Sequence, residues 1–270
     1  MNANWLTPDW PAPKSVRAVF TTRVGGVSDG PYESLNLGDH VGDSAGQVAE
    51  NRAILQRSIG IKPVFLKQVH GSEVLLLNAD SSNNQSADAC VTVQRGLACT
   101  ILVADCLPVL LTTEDGAVVA AAHAGWRGLA GVGGESGESV LTSVYKSFKA
   151  QARIYRGHLT VKTIAWMGPC IGPSAFEVGP EVKAAFETAQ PGAERFFVEI
   201  GGGKYLANLP ALARMRLQAL GITQIYGNDG SAPWCTVSNP SKFFSHRRDA
   251  GVSGNGFGTT GRLAACIWLA

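Results

Sequence analysis

ACTILVA (98–104) and the DCLPVLL that follows it (105–111) decide the fold class of this chain. A run as continuously apolar as 98–104 is expected for a strand covered on both faces, because a solvated face would select alternating polar residues. Working outward, residues 109–112 and 117–122 read as a hairpin across the Glu114-Asp115-Gly116 turn. Further strand candidates are PVFLKQV (63–69), EVLLLN (73–78), TIAWM (163–167), TQIYG (223–227), KFFSH (242–246) and AACIWL (264–269). Ser44-Ala45-Gly46-Gln47 has the form of a capping box ahead of Val48, Leu55 and Ile59 at helical spacing, with Gly60 closing the helix. GLAGVGGESGES (128–139) leads into a helix at about 138–149 with Val140, Leu141, Val144 and Tyr145 inward. Helices also follow Pro180 and cross 210–220, closed by Gly221. Strands and helices alternate loosely, without a regular βαβ beat. The expectation is a mixed α/β or α+β fold with more than one sheet, in one compact domain over residues 1–270, since no internal repeat or long linker divides it.

Composition excludes several function classes. The 270 residues carry a formal charge of +2, too small for a nucleic-acid partner, and no Lys/Arg run supplies a local footprint. MNANWLTPDWPAPK lacks the basic start and apolar run of a signal peptide, and no stretch is long and apolar enough to span a bilayer. The six cysteines form no CxxC pair, and several lie in apolar text, as suits a reduced cytoplasm. A cytoplasmic protein with no membrane partner is therefore expected.

Chemistry concentrates in KQVHG (67–71), ADCLPVLL (104–111) and AAHAGWRG (121–128). His70, Cys106 and His123 each adjoin an apolar run, where sites gather in α/β folds. Two histidines and a cysteine are an accepted catalytic zinc set with one position left open, and their wide spacing is unlike the close ligand pairs of a zinc finger. The same residues are equally the parts of a Cys106 nucleophile with a histidine base. Both readings predict an enzyme.

TTRVGGVSDGPYESLNLGDHVGD (21–43), LKQVHG (66–71), VADCLPVLL (103–111), AAHAGWRG (121–128), GPCIGPSAFEVG (168–179) and FFSHRRD…TGRLAACIWL (243–269) run in order along the chain. Together they resemble the YfiH family, also called the laccase-domain or polyphenol-oxidase-like proteins and the peptidoglycan editing factors. The resemblance covers nearly the whole chain and implies that His70, Cys106 and His123 bind one metal, generally zinc. It implies a purine nucleoside phosphorylase acting on adenosine, inosine, guanosine and methylthioadenosine, with adenosine deaminase activity. Purine nucleoside and phosphate would then be its partners, and the chain a monomer or homodimer. The implied fold is α+β: two packed mixed β-sheets flanked by helices in α/β/β/α layers, like the catalytic domain of the cytotoxic necrotising toxins.

The older family name suggests copper oxidation of phenols. With only His40, His158 and His246 beyond the triad, and no His-x-His pair, a multi-copper cluster is not expected. Copper in the single site remains compatible with the affinity order. Phosphorolysis requires an anion clamp, for which Arg23 and Arg127 are the candidates. Gln68 shares the strand face of His70 and is a candidate for binding base or ribose. Asp105 interrupts an apolar run, where a carboxylate is costly unless paired, so it is read as supporting a metal ligand. His246, Arg247, Arg248 and Arg262 form a basic C-terminal group, and His40 is read as a structural histidine. Two alternatives differ in class: a metal-free Cys106–His123 hydrolase, and a non-catalytic factor that sequesters a peptidoglycan precursor.

Overall fold

The computed structural model describes residues 4–133, 137–156, 162–249 and 259–270. In chain order its strands are β1 (Val16–Phe20), β2 (Lys62–Phe65), β3 (Val74–Leu76), β4 (Ala89–Thr92), β5 (Leu97–Val103), β6 (Leu107–Thr113), β7 (Val119–Ala124), β8 (Thr163–Met167), β9 (Glu177–Val178), β10 (Phe197–Gly201), β11 (Lys204–Ala207), β12 (Gln224–Gly227) and β13 (Leu263–Leu269). The α-helices are α1 (Ala45–Ile59), α2 (Trp126–Ala130), α3 (Val140–Arg156), α4 (Pro180–Ala189), α5 (Leu209–Ala219) and α6 (His246–Asp249). They build a four-stranded sheet ordered β1-β13-β5-β2, a six-stranded sheet ordered β12-β8-β6-β7-β4-β3, and a small sheet ordered β10-β11-β9.

Side-chain alternation explains why the two larger sheets stack. In β5, Cys99, Ile101 and Val103 enter the core shared with the six-stranded sheet, whereas Ala98 and Leu102 face a second core with Leu55 and Ile59 of α1. In β7, Val119 and Ala121 face the shared core, while Ala120, Ala122 and Ala124 pack with Val140, Val144 and Phe148 of α3. Both strands are therefore apolar throughout because each is covered twice. The order of layers is α1, four-stranded sheet, six-stranded sheet, then α3 and α5, which is the α/β/β/α architecture expected from the family resemblance. Complete burial of each Leu, Val or Phe in these cores stabilises by about 1.5–3 kcal/mol. Among the described residues no helix is long and apolar enough to cross a membrane.

Two local expectations are corrected and two are refined. PVFLKQV and EVLLLN each contribute a strand, but to different sheets: β2 joins the four-stranded sheet and β3 the six-stranded one, so the chain crosses between sheets through His70. KFFSH is not a strand; Phe243 and Phe244 plug the core between the sheets, and α6 starts at His246. There is no capping box, because Ser44 makes no side-chain cap and the Gln47 amide donates to Val27 O and to Asp29 Oδ2 at 2.8 Å. The glycine-rich stretch leads, as expected, into a helix, α3, with Val140, Leu141, Val144 and Tyr145 buried; α2 at its start ends at Gly131 in the left-handed conformation, and residues 134–136 lie outside the described ones.

Candidate functional site

The site forms where the chain passes twice from the four-stranded to the six-stranded sheet. The crossing from β2 to β3 carries His70, and the crossing from β5 to β6 carries Asp105 and Cys106. Each turns on a non-glycine residue in the left-handed region, His70 at φ 61° and Asp105 at φ 87°. Such conformations cost about 1–3 kcal/mol each and persist only where surrounding structure fixes them. His123, next to last in β7, is buried and shares the parity of Val119 and Ala121, so it points toward the gap between the sheets. One donor atom from each of His70, Cys106 and His123 lies within 4.8 Å of the others. His70 Nε2 is 3.8 Å from Cys106 Sγ, and the two imidazole rings meet edge to face at 4.8 Å.

Gly125 keeps room for this arrangement. A Cβ there would stand 2.9 Å from His70 Cδ2, 3.0 Å from Cys106 Sγ and 3.7 Å from His123 Cε1. Gly133 does the same for the crossing itself, since its Cβ would overlap the His70 carbonyl at 1.8 Å.

The residue that unites the site is Asp88, which the reading of the sequence missed. Its buried carboxylate accepts hydrogen bonds from the Val69, His70 and Gly71 amides at 3.1, 2.9 and 2.7 Å. It also bonds His123 Nδ1 at 2.8 Å, while its carbonyl accepts the His123 amide at 2.7 Å. Burial alone would raise its pKa; the His123 bond and the amides outweigh this and hold the carboxyl below its usual range. With Nδ1 engaged, His123 presents Nε2 to the site. A signal was present in the sequence: a lone carboxylate between Ala87 and Ala89 in apolar text is as costly as Asp105.

The electrostatics favour a thiolate. Burial pushes the Cys106 thiol up, but His123 and His70 beside it pull it down to about 6. Conversely, burial lowers His123, and Cys106 with Asp88 raise it to about 9. Two imidazole nitrogens and a thiolate, with space kept by Gly125, are a donor set suited to a tetrahedral ion with one open position. Bonds of about 2.1 Å to nitrogen and about 2.3 Å to sulfur can span the His70–Cys106 separation.

The other expected site residues separate. Gln68 lines the cavity beside the triad, yet its amide is committed to Leu102, donating to the carbonyl at 2.8 Å and accepting from the amide at 2.7 Å. It ties the His70 crossing to the end of β5. The Asp105 carboxylate accepts from Thr236 Oγ1 at 2.5 Å and the Arg247 amide at 2.6 Å, so it anchors those segments and touches none of the triad through its side chain. Arg23 donates to the Glu33 and Pro240 carbonyls and stacks over Phe244, fastening loops away from the cavity. Arg127 is exposed and lies over the Trp126 ring at 4.5 Å. Its Trp126 neighbour reaches the cavity instead.

That cavity measures about 360 Å³ and opens from the triad, within the range of small-molecule sites. Trp126, Ile171, Phe176 and Leu209 supply apolar lining, and His40, His246, Arg247 and Arg262 supply a basic wall. His40 thus stands on the cavity, and the arginines that reach it belong to the basic C-terminal group rather than to TTRVGG or HAGWRG.

Residues 17–270 match a family model described as multi-copper polyphenol oxidoreductase laccase. A purine nucleoside phosphorylase of Pseudomonas aeruginosa is 44% identical over 270 residues, covering 100% of this chain and 99% of that protein. The purine nucleoside phosphorylase YfiH of Escherichia coli is 43% identical, covering 98% of each. A crystal structure of a Neisseria meningitidis protein superimposes with a TM-score of 0.85 at 43% identity, over 98% of this chain and 99% of that one. YlmD from Geobacillus stearothermophilus gives 0.82 at 29% identity, over 100% and 97%. With the match running from β1 to the end of the chain, this protein belongs to the YfiH family.

Proposed function

We propose that this chain is a zinc-dependent purine nucleoside phosphorylase with adenosine deaminase activity, the whole of residues 1–270 forming one catalytic domain of the cytoplasm. The observation that carries the reading is one cavity lined both by the His70–Cys106–His123 centre and by Arg247 and Arg262. Phosphorolysis needs such a combination: an apolar and aromatic bed for a purine nucleoside, and cationic donors for phosphate. The activity in the names of the Pseudomonas and Escherichia relatives supports it.

His70, Cys106 and His123 would hold the metal, which when bound supplies Lewis acidity at neutral pH. Asp88 fixes the tautomer of His123 and the path of the His70 crossing. Trp126 and Phe176 supply aromatic lining against which a base can pack. In the reaction the C1′–N9 bond breaks, a phosphate oxygen bonds to C1′, and the proton of hydrogen phosphate ends on the departing base. Copper can occupy the same donor set, and the affinity order favours Cu²⁺ over Zn²⁺.

A second reading has its own observation. A thiol held down to about 6 beside His123 is also an activated nucleophile, which a metal-free hydrolase would use. Assays of zinc-loaded protein on inosine and adenosine, with and without phosphate, separate the two. Phosphate-dependent release of hypoxanthine supports the phosphorylase, and release of no base or deaminated product at any phosphate level contradicts it.

A further inference from the structure

The basic wall of the cavity has no assigned role, and its construction points to an anion. Arg262 opens the approach to β13 and is stitched to the 36–40 segment: its amide donates to Asn36 Oδ1 at 2.8 Å, and its carbonyl accepts from Leu37. The aliphatic stem lies on Gly38, where a Cβ would meet Arg262 Cγ at 2.7 Å. One guanidinium nitrogen donates to the Thr260 and Gly261 carbonyls at 2.9 and 3.2 Å. This fixes the head group while leaving its other nitrogens available. Arg247 is held similarly, one nitrogen donating to the Glu177 carbonyl at 2.9 Å.

Neither guanidinium has a carboxylate at ion-pair distance among the described residues. The nearby acids are already engaged: Asp105 accepts from Thr236 and the Arg247 amide, Glu177 pairs with Lys204, and Asp39 pairs with Arg52 at 3.2 Å and with His40 at 3.4 Å. His40 completes the wall. Its Nδ1 lies 3.4 Å from Asp39 Oδ1; burial, then the charge of Arg262, outweigh that carboxylate and hold its pKa below the usual histidine value. Two anchored guanidiniums that make no direct ion pair among the described residues, both lining one cavity, form a site that a doubly charged oxyanion satisfies.

We propose that Arg262, with Arg247 and His40 beside it, is the wall that binds the phosphate dianion consumed in phosphorolysis. This rests on the phosphorylase reading of the cavity, and it moves the anion clamp away from Arg23 and Arg127. Arg262 contacts the reacting phosphate directly, whereas Asn36 and Gly38 are positioning residues that set its place.

The test uses full-length, zinc-loaded protein and inorganic phosphate as the probe. Phosphate should raise the thermal midpoint of the wild type, and Arg262→Gln should abolish the rise. In steady-state kinetics Arg262→Gln should raise the KM for phosphate at least about tenfold while the KM for inosine moves less than about threefold. Arg262→Lys, which keeps the charge but loses the fork, should fall between. Should Arg262→Gln fail to fold, Arg247→Gln carries the same test, with a several-fold rise in the KM for phosphate expected. An unchanged phosphate KM and thermal shift in both glutamine variants would overturn the proposal. Protection by inosine 5′-monophosphate but not by inorganic phosphate would also overturn it, placing an ester phosphate on the wall instead. A wild type that phosphate stabilises but that cleaves no nucleoside would sink the phosphorylase reading while leaving the anion wall standing.

Discussion

Asp88 and His123 are joined twice, side chain to side chain at 2.8 Å and carbonyl to amide at 2.7 Å, and the same carboxylate holds three amides of the His70 crossing. One acid thus fixes two of the three donors against each other, although they lie on different segments. Asp88→Asn replaces an acceptor oxygen by a donor facing one or more of these N–H groups. Metal affinity is expected to fall 10–100-fold, with a stability loss of about 1–3 kcal/mol from the amides left unsatisfied. A chelator competition titration and a urea melt measure the two effects separately; unchanged values in both would refute the role given to Asp88.

Gly125 has φ −66°, so alanine is free of backbone strain there, and any effect must come from space. Because the added methyl would crowd His70 Cδ2 and Cys106 Sγ, Gly125→Ala is expected to lower bound metal and activity together. Its far-UV circular dichroism should match the wild type. Full metal content in this variant would contradict the geometry of the site.

The pH dependence of Cys106 reactivity follows from its partners. In protein stripped of metal the thiol titrates at about 6, so iodoacetamide labelling is expected to be fast at neutral pH and to slow as the pH falls through that value. The sign is that of a thiolate lost by protonation, with His123 supplying the positive charge. A midpoint near that of an ordinary cysteine, about 8.5, would contradict the account. Prior zinc loading should protect the residue.

Phe243 packs edge-on against Phe20, with ring centroids at 5.9 Å and planes at 76°, in the core between the sheets. Phe243→Ala is expected to cost about 3–5 kcal/mol in a denaturant melt. A loss below about 1 kcal/mol would mean that the segment before α6 is not the plug described.

Much of the layered fold was legible because doubly covered strands such as β5 and β7 must be apolar throughout, whatever their order in the sheet. Sheet membership was not legible: PVFLKQV and EVLLLN have equivalent patterns, and nothing local says that the chain changes sheets at His70. KFFSH misled for a related reason, since Phe243 and Phe244 are apolar for a core they enter from a loop. At the site, the triad could be read from motifs, but the support around it depends on contacts distant in sequence. Asp88 meets His123 across paired strands, and Arg262 reaches the cavity only because β13 lies beside β5. Arg23 and Arg127 were attractive as neighbours of motifs, yet adjacency in sequence did not aim their side chains into the cavity.

The central claim is that His70, Cys106 and His123 jointly hold one metal ion on which phosphorolysis depends. It is tested most directly by measuring bound metal by mass spectrometry, alongside inosine phosphorolysis, in the wild type and in Cys106→Ala. The account predicts about one zinc or copper ion per wild-type chain, lost together with activity in the variant. A wild-type protein that cleaves inosine at full rate with no bound metal would contradict it.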